Sequence, residues 1–362
     1  MNLTTRQMAA STSRWHMIVL GLCLSLVPLD AALAADNNSA TILLYHHVAT
    51  DTPPSTTISP GDFQAHLEYL RDNDFKVLPL DEIIESLRDE LPIPDKSVAI
   101  TFDDGYLSIY ETAFPMLQEF GMPFTLFVST DPIDQGLANY MGWAQIREMS
   151  DAGVLIANHM VTHPYMLTRN QDESDADWLA RQRAELLQAE ALIEEHTGQQ
   201  HRYLAYPYGE FNPAIKSMLA DEGFTGFAQN SGAVGRDSDF LALPRYPLAS
   251  IYANLDTARI KLDSLAFSAE LVEPLSPVTR EQSPSVTLRF NEGAYNLEQI
   301  GCFANSQAMD LEWLDRSQGL LRISTEQVFN GRRWRYICTA PAPGSSRFYW
   351  YSVQWINPDK PG

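Results

Sequence analysis

Between Thr41 and about Ser268, short β-branched and apolar runs alternate with stretches whose apolar positions recur every three to four residues. The first pattern reads as strand and the second as amphipathic helix. Strands are predicted at Thr41–Val48, Phe75–Leu78, Ser97–Phe102, Phe124–Ser129, Val154–Asn158, Tyr203–Tyr206 and Thr225–Gln229. Between and after them, helices are predicted at Gly61–Asp72, Asp81–Asp89, Ile109–Phe120, Trp143–Ala152, Ala176–Thr197, Pro213–Glu222 and Leu255–Ser268. Regular alternation of strand and helix implies an α/β fold with a parallel sheet under helices. Seven such pairs point to a closed or nearly closed barrel more than to an open doubly wound sheet, and periodicity alone leaves closure open.

After Glu270 the pattern changes. Glu273-Pro274-Leu275-Ser276-Pro277 reads as a linker, and Val286–Phe290, Gly319–Ser324, Arg333–Cys338 and Arg347–Trp355 are strand-like runs between Gly, Asn and Pro turns. They predict a small all-β, sandwich-like accessory domain over residues 269–362, after an α/β domain over 35–268.

At the N-terminus, Arg6 and Arg14 precede an apolar run from Met17 to Pro28, and Ala32-Leu33-Ala34 supplies small residues for cleavage. Residues 1–34 therefore read as a signal peptide cut near Ala34, the run being too short for a stable anchor. Cys23 follows the bulky Leu22, which argues against a lipoprotein. No later segment is long and apolar enough to insert stably in a membrane, so the expected location is periplasmic or secreted. With Cys23 removed, Cys302 and Cys338 remain, and an oxidising compartment predicts a disulfide between them, the alternative being two buried thiols.

Lys and Arg number 25 against 46 Asp and Glu, a formal net charge of −21. A surface this acidic excludes nucleic acid and anionic membranes as partners. Residues 269–362 hold 9 basic and 10 acidic side chains and residues 35–268 hold 14 and 35, so the acidity belongs to the α/β part. It would tolerate a neutral or cationic substrate; adaptation to high salt reads equally well.

Candidate chemistry gathers where strands end. Thr101-Phe102-Asp103-Asp104-Gly105-Tyr106 closes the third strand, and adjacent carboxylates there point apart, one free to ligate a metal while the other handles a proton. The same residues also make an ordinary turn. Asn158-His159-Met160-Val161-Thr162-His163-Pro164 closes the fifth strand, and imidazoles four apart converge if the segment turns helically. Two His and one Asp suit Zn²⁺, and also Co²⁺, Ni²⁺ or Fe²⁺. Ala205-Tyr206-Pro207-Tyr208-Gly209, after the sixth strand, is a rigid loop whose backbone N–H could face a developing oxyanion. All three sit at C-terminal strand ends, where parallel α/β folds place their sites.

In that order and on those strand ends, Thr101–Gly105, His159 with His163, and Tyr206–Gly209 resemble the polysaccharide deacetylases of carbohydrate esterase family four, the chitin or nodulation deacetylase homology domain. The resemblance covers roughly residues 41–262. Leu43-Leu44-Tyr45-His46-His47-Val48 and Trp143-Ala144-Gln145-Ile146-Arg147-Glu148-Met149 further resemble the branch acting on biofilm exopolysaccharides such as poly-N-acetylglucosamine. The family implies a distorted (β/α) barrel in which Asp104, His159 and His163 hold a divalent metal, Zn²⁺ foremost. It implies Asp103 as general base for the attacking water and the Tyr208 backbone N–H as oxyanion donor, in hydrolytic N-deacetylation of a polysaccharide. Acetyl-ester hydrolysis on glycans, peptidoglycan deacetylation and non-catalytic glycan binding are the alternative readings.

Three departures follow. Met160 stands where the family usually has a hydroxyl residue, so His159 must be oriented by something else. Ala205 replaces the usual Arg of the third motif, and Arg245 is the candidate substitute to orient Asp103, unless it is an ordinary surface Arg. No histidine follows His201, so the usual late catalytic-acid His is missing. His46, at the end of the first strand, is the candidate acid, unless it is structural; His47 would face the opposite side. Trp334, Trp350, Trp355, Tyr349 and Tyr351 in the C-terminal part are expected to pack its core more than to stack on sugars.

Overall fold

The computed structural model describes Met1 and residues 38–362. Apart from Met1, the leader expected over residues 1–34 lies outside the described residues. The main sheet is built from β1 (Ser39–Tyr45), β2 (Ser97–Phe102), β3 (Thr125–Val128), β4 (Leu155–Asn158), β5 (Tyr203–Ala205), β6 (Thr225–Phe227) and β7 (Ala233–Gly235). Their order is β7-β1-β2-β3-β4-β5-β6, parallel throughout except that β7 runs antiparallel to β1. The sheet curls into a distorted half-barrel, and β7 is an edge strand that the sequence pattern did not give.

Helices α1 (Pro60–Asp72), α2 (Leu80–Arg88), α3 (Phe114–Phe120), α4 (Trp143–Asp151), α5 (Asp175–Thr197), α6 (Pro213–Asp221) and α7 (Leu255–Leu262) fall on the predicted helical stretches. Local chemistry explains their starts: Ser59 and Ser174 accept from Asp62 N–H and Asp177 N–H, and Pro60 and Pro213 occupy first helical positions. The last helix stops at Leu262, short of the expected Ser268. Ser264–Ala266 (β8) leaves the helix to pair in parallel with Phe348–Trp350, and a strand partner outweighs another helical turn.

Because strand side chains alternate, each strand feeds two cores. Leu43, Tyr45, Val98, Ile100, Phe102, Leu126, Val128 and Ile156 lie beneath the helices. Ile42, Ala99, Phe127, Ala157, Ala205 and Phe227 face the barrel interior with α2. The parity continues past the strand ends, so Thr101 and Asp103 belong to the interior face, and both are fully buried.

The C-terminal part forms two sheets. One joins β8, β16 (Phe348–Ile356), β15 (Arg333–Pro341), β11 (Gly301–Ala304) and β12 (Gln307–Ala308); the other joins β9 (Ala269–Glu273), β10 (Val286–Phe290), β14 (Leu320–Ser324) and β13 (Asp310–Asp315). Their inner faces share one core containing Leu288, Leu321, Tyr336, Tyr349 and Trp355, against which Trp334 and Tyr351 also pack. Trp350 points the other way and packs on the barrel core. Cys302 and Cys338 stand directly opposite on β11 and β15 and form a disulfide. Among the described residues no helix is long and apolar enough to cross a membrane.

Candidate metal centre and active site

The three motifs meet at the C-terminal edge of the parallel strands. Asp103 and Asp104 follow β2, His159 follows β4, and the Tyr206–Gly209 turn follows β5. Asp104 Oδ1 lies 3.2 Å from His159 Nε2 and 3.2 Å from His163 Nε2. One ligand atom from each residue lies within 4.8 Å of the others. The imidazoles do not converge through a helical turn, as the spacing suggested. The segment is irregular, with Met160 at φ 67° and His163 at φ 54°, and Asp104 itself sits at φ 78°. Left-handed backbone at non-glycine residues costs of order 1–3 kcal/mol each and persists where surrounding contacts enforce it.

Those contacts are present. Asn158 donates to Leu186 O at 2.9 Å and to Glu190 Oε2 at 3.0 Å, and its own Oδ1 accepts from Met160 N–H at 2.8 Å. Met160 is fully buried among Met166, Trp178 and Tyr206, so it serves packing. The orientation of His159 comes instead from the Ala205 carbonyl, which accepts from Nδ1 at 2.7 Å, and from Ser129 Oγ, which donates to the His159 carbonyl at 2.9 Å.

That bond to Ala205 has a chemical consequence. A carbonyl can only accept, so Nδ1 carries the hydrogen and Nε2 presents a lone pair. Nε2 then faces the Asp104 carboxylate, acceptor against acceptor, and both atoms are buried without a satisfying hydrogen bond. Two opposed lone pairs in a buried site call for a cation between them, and a carboxylate with two imidazoles is a donor set that fits a divalent metal.

Asp103 is held from the interior side. Arg245, fully buried, places Nη1 on Oδ1 and Nη2 on Oδ2, each at 2.7 Å, and Nε on Ala228 O at 3.0 Å. Burial alone would raise the Asp103 pKa, but the charge of Arg245 and its hydrogen bonds to the carboxylate outweigh it and hold the carboxyl below its usual range. Asp103 is therefore ionised at neutral pH.

His46 is half-buried on the interior side. Burial lowers its pKa, and the charges of Asp104 and Asp103 only partly restore it. His47 lies against Tyr106, ring centroids 3.7 Å apart, with Nδ1 3.2 Å from Ser108 Oγ. In the third motif, Tyr208 adopts φ 58° and Gly209 φ 69°, and a Cβ on Gly209 would come within 2.8 Å of the Gln229 side chain. Glycine alone fits that turn. The Tyr208 ring meets His163 edge-on at 4.5 Å and stacks on Tyr165 at 3.9 Å.

Two contributors escaped the sequence reading. Glu210, fully buried just after the third motif, accepts from Arg332 Nη2 at 2.7 Å and Arg333 Nη1 at 2.9 Å, and Gly209 O accepts from Gln354 Nε2 at 2.7 Å. Their partners lie more than a hundred positions downstream, with no local signal. Tyr106, inside the quoted Asp-Asp-Gly-Tyr motif, stacks on His47 and meets the Tyr140 ring at a tilt, centroids 4.8 Å apart.

Residues 91–227 match the family model described as polysaccharide deacetylase. A Bacillus subtilis (strain 168) protein named for the same family, YxkH, is 30% identical over 207 residues, covering 56% of this chain and 69% of that protein. The chain belongs to the polysaccharide deacetylase family. As a member it is an enzyme, a hydrolase. This deacetylase is also 28% identical over 237 residues to the poly-beta-1,6-N-acetyl-D-glucosamine N-deacetylase of Staphylococcus epidermidis, covering 59% of the one and 80% of the other. Among solved structures, IcaB from Ammonifex degensii superposes with a TM-score of 0.52 at 26% identity, over 59% of this chain and 97% of that one. The Streptococcus pyogenes deacetylase PplD, solved with acetate, shares the fold with a TM-score of 0.55 at 23% identity, over 62% of this chain and 98% of PplD. These matches leave more than a third of the deacetylase chain uncovered.

Proposed function

We propose that this polysaccharide deacetylase hydrolyses the N-acetyl groups of N-acetylglucosamine units in an exopolysaccharide of the poly-N-acetylglucosamine kind. The observation that carries the reading is the buried opposition of Asp104 Oδ1 and His159 Nε2, beside a carboxylate, Asp103, kept ionised by Arg245. Names of relatives that act on poly-beta-1,6-N-acetyl-D-glucosamine support the substrate class.

Asp104, His159 and His163 are the residues that would hold a divalent cation, Zn²⁺ foremost. When bound, it supplies Lewis acidity and lowers the pKa of water from about 15.7 toward 7. Asp103, ionised and aimed by Arg245, takes the proton of the attacking water. The acetamide oxygen gains charge as the carbonyl carbon becomes tetrahedral, and the Tyr208 backbone N–H donates to it. Collapse breaks the C–N bond, and the departing amine needs a proton, for which His46 is the candidate donor. Its lowered pKa leaves it neutral at rest, so the proton it passes on is the one that Asp103 takes from the water. Residues 35–268 carry this chemistry as one domain, with 269–362 as accessory, and a leader over 1–34 delivers the enzyme to the periplasm or beyond the cell.

The test is release of acetate and free amine from β-1,6- and β-1,4-linked N-acetylglucosamine oligomers with Zn²⁺, Co²⁺ or chelator, for wild type and Asp104→Asn. Metal-dependent release, abolished in the variant, is expected. Release from acetylxylan alone would replace the reading with ester hydrolysis.

A further inference from the structure

A cavity of about 870 Å³ opens between the outer face of the C-terminal sheet and helix α7 of the barrel. It meets the surroundings of the site described above at one side chain. Tyr208 lines it, and the same ring lies edge-on to His163 at 4.5 Å. Strand parity decides what else faces it. On β15, Tyr336, Cys338 and Ala340 turn into the sandwich core, so Arg333 and Arg335 turn outward, and Trp350 on β16 faces the same way.

The charge of this cavity runs against that of the molecule. The chain carries −21, yet Arg333, Arg335 and Lys261 line the cavity and, among the described residues, no Asp or Glu does. Arg333 and Arg332 share the single carboxylate of Glu210, which leaves one positive charge over. Arg335 has no carboxylate partner among the described residues. Lys261, only 6% exposed, donates to Pro247 O at 3.1 Å and lies 4.7 Å from the Tyr252 ring, again without a carboxylate. Ile260, 53% exposed, and Tyr252 form an apolar rim.

We propose that this cavity holds the sugar units flanking the acetyl group under attack, and that Arg333 and Arg335 select N-acetylated units over units already deacetylated. The proposal rests on the N-deacetylase reading and adds a specificity to it. An acetamide is neutral and its carbonyl oxygen accepts from a guanidinium, whereas a deacetylated unit carries an ammonium that the same cations repel. The rim and Trp350 offer apolar surface to the C–H faces of a pyranose. Discrimination here is by repulsion of the wrong unit as much as by attraction of the right one. A chain that has just lost one acetyl group therefore rebinds poorly in the adjacent register, and free amines accumulate dispersed along the polymer, not in runs.

The test uses the full chain, treated with chelator so that nothing turns over, and calorimetric titration at about pH 5.5, where amines are protonated. The probes are a fully acetylated β-1,6-glucosamine hexamer, its fully deacetylated counterpart and an oligogalacturonate of equal length. Wild type is expected to bind the acetylated hexamer at least about tenfold more tightly than the deacetylated one. Arg335→Glu should shrink that ratio to about twofold or reverse it, with Arg335→Gln in between. Should the Glu variant fail to fold, as read by its melting curve, the Gln variant carries the test. Equal affinities in wild type, an unchanged ratio in the variants, or tighter binding of the oligogalacturonate would overturn the proposal. The acetate-release assay stands or falls separately, so loss of the deacetylase reading is distinguishable from loss of this one.

Discussion

Arg245 grips Asp103 with both terminal nitrogens, 2.7 Å each, from 142 residues away in sequence, and neither side chain is exposed. Removing one partner of such a pair strands a buried charge, at a cost of about 3–5 kcal/mol. Arg245→Met should therefore lower unfolding stability by about that amount and turnover by on the order of a hundredfold. Without the guanidinium the Asp103 carboxyl rises, so the acid limb of the pH–rate profile should move to higher pH. Arg245→Lys keeps the charge but not the fork and should recover part of the stability and little of the rate. Urea titration and acetate release at several pH values check all three.

His46→Ala is expected to lower turnover while leaving Zn²⁺ binding intact, because His46 faces the site without belonging to the triad. Equilibrium dialysis and single-substrate kinetics separate the two quantities. Unchanged turnover would remove His46 from the mechanism.

Lys261 supplies a pH-dependent stability difference. Burial, with the Arg335 charge adding, pulls its pKa from 10.5 down to about 7. Between those values the unfolded chain binds a proton that the folded chain does not, so this group's contribution to stability rises with pH across that window. Lys261→Met removes the penalty. The variant should be the more stable near pH 6.5, by on the order of a few kcal/mol, with the gap closing toward pH 10. Urea midpoints for both proteins along that series decide it.

The Cys302–Cys338 disulfide closes a loop of 36 residues. Chain entropy puts its contribution at up to about 4 kcal/mol. Cys302→Ser/Cys338→Ser should show a lowered melting temperature that added reductant does not change further, while reductant lowers that of wild type.

What the sequence disclosed follows from how locally each feature is encoded. Ser97–Phe102 matches its predicted span because both faces of a central parallel strand are apolar, and the Asp-Asp and His-x3-His pairs are contiguous enough to read directly. Arg245 was legible as the substitute for a missing arginine only because the family pattern left a vacancy at Ala205. The conformation between His159 and His163 was not legible, since tertiary bonds through Asn158 and Glu190 impose the positive φ angles. Nor could the end of α7 be read, because Ser264–Ala266 is claimed by a strand more than eighty residues later.

The anchors on the third motif bear on how the enzyme comes into being. Glu210 waits for Arg332 and Arg333, and the Gly209 carbonyl waits for Gln354 on the last strand. A ribosome delivers residues in order, so the Asp104, His159 and His163 side chains are all synthesised well over a hundred residues before the loop bearing Tyr208 acquires its restraints. Order in the Tyr208 turn is thus borrowed across the chain, from Arg332, Arg333 and Gln354 as well as from the barrel strand that precedes it.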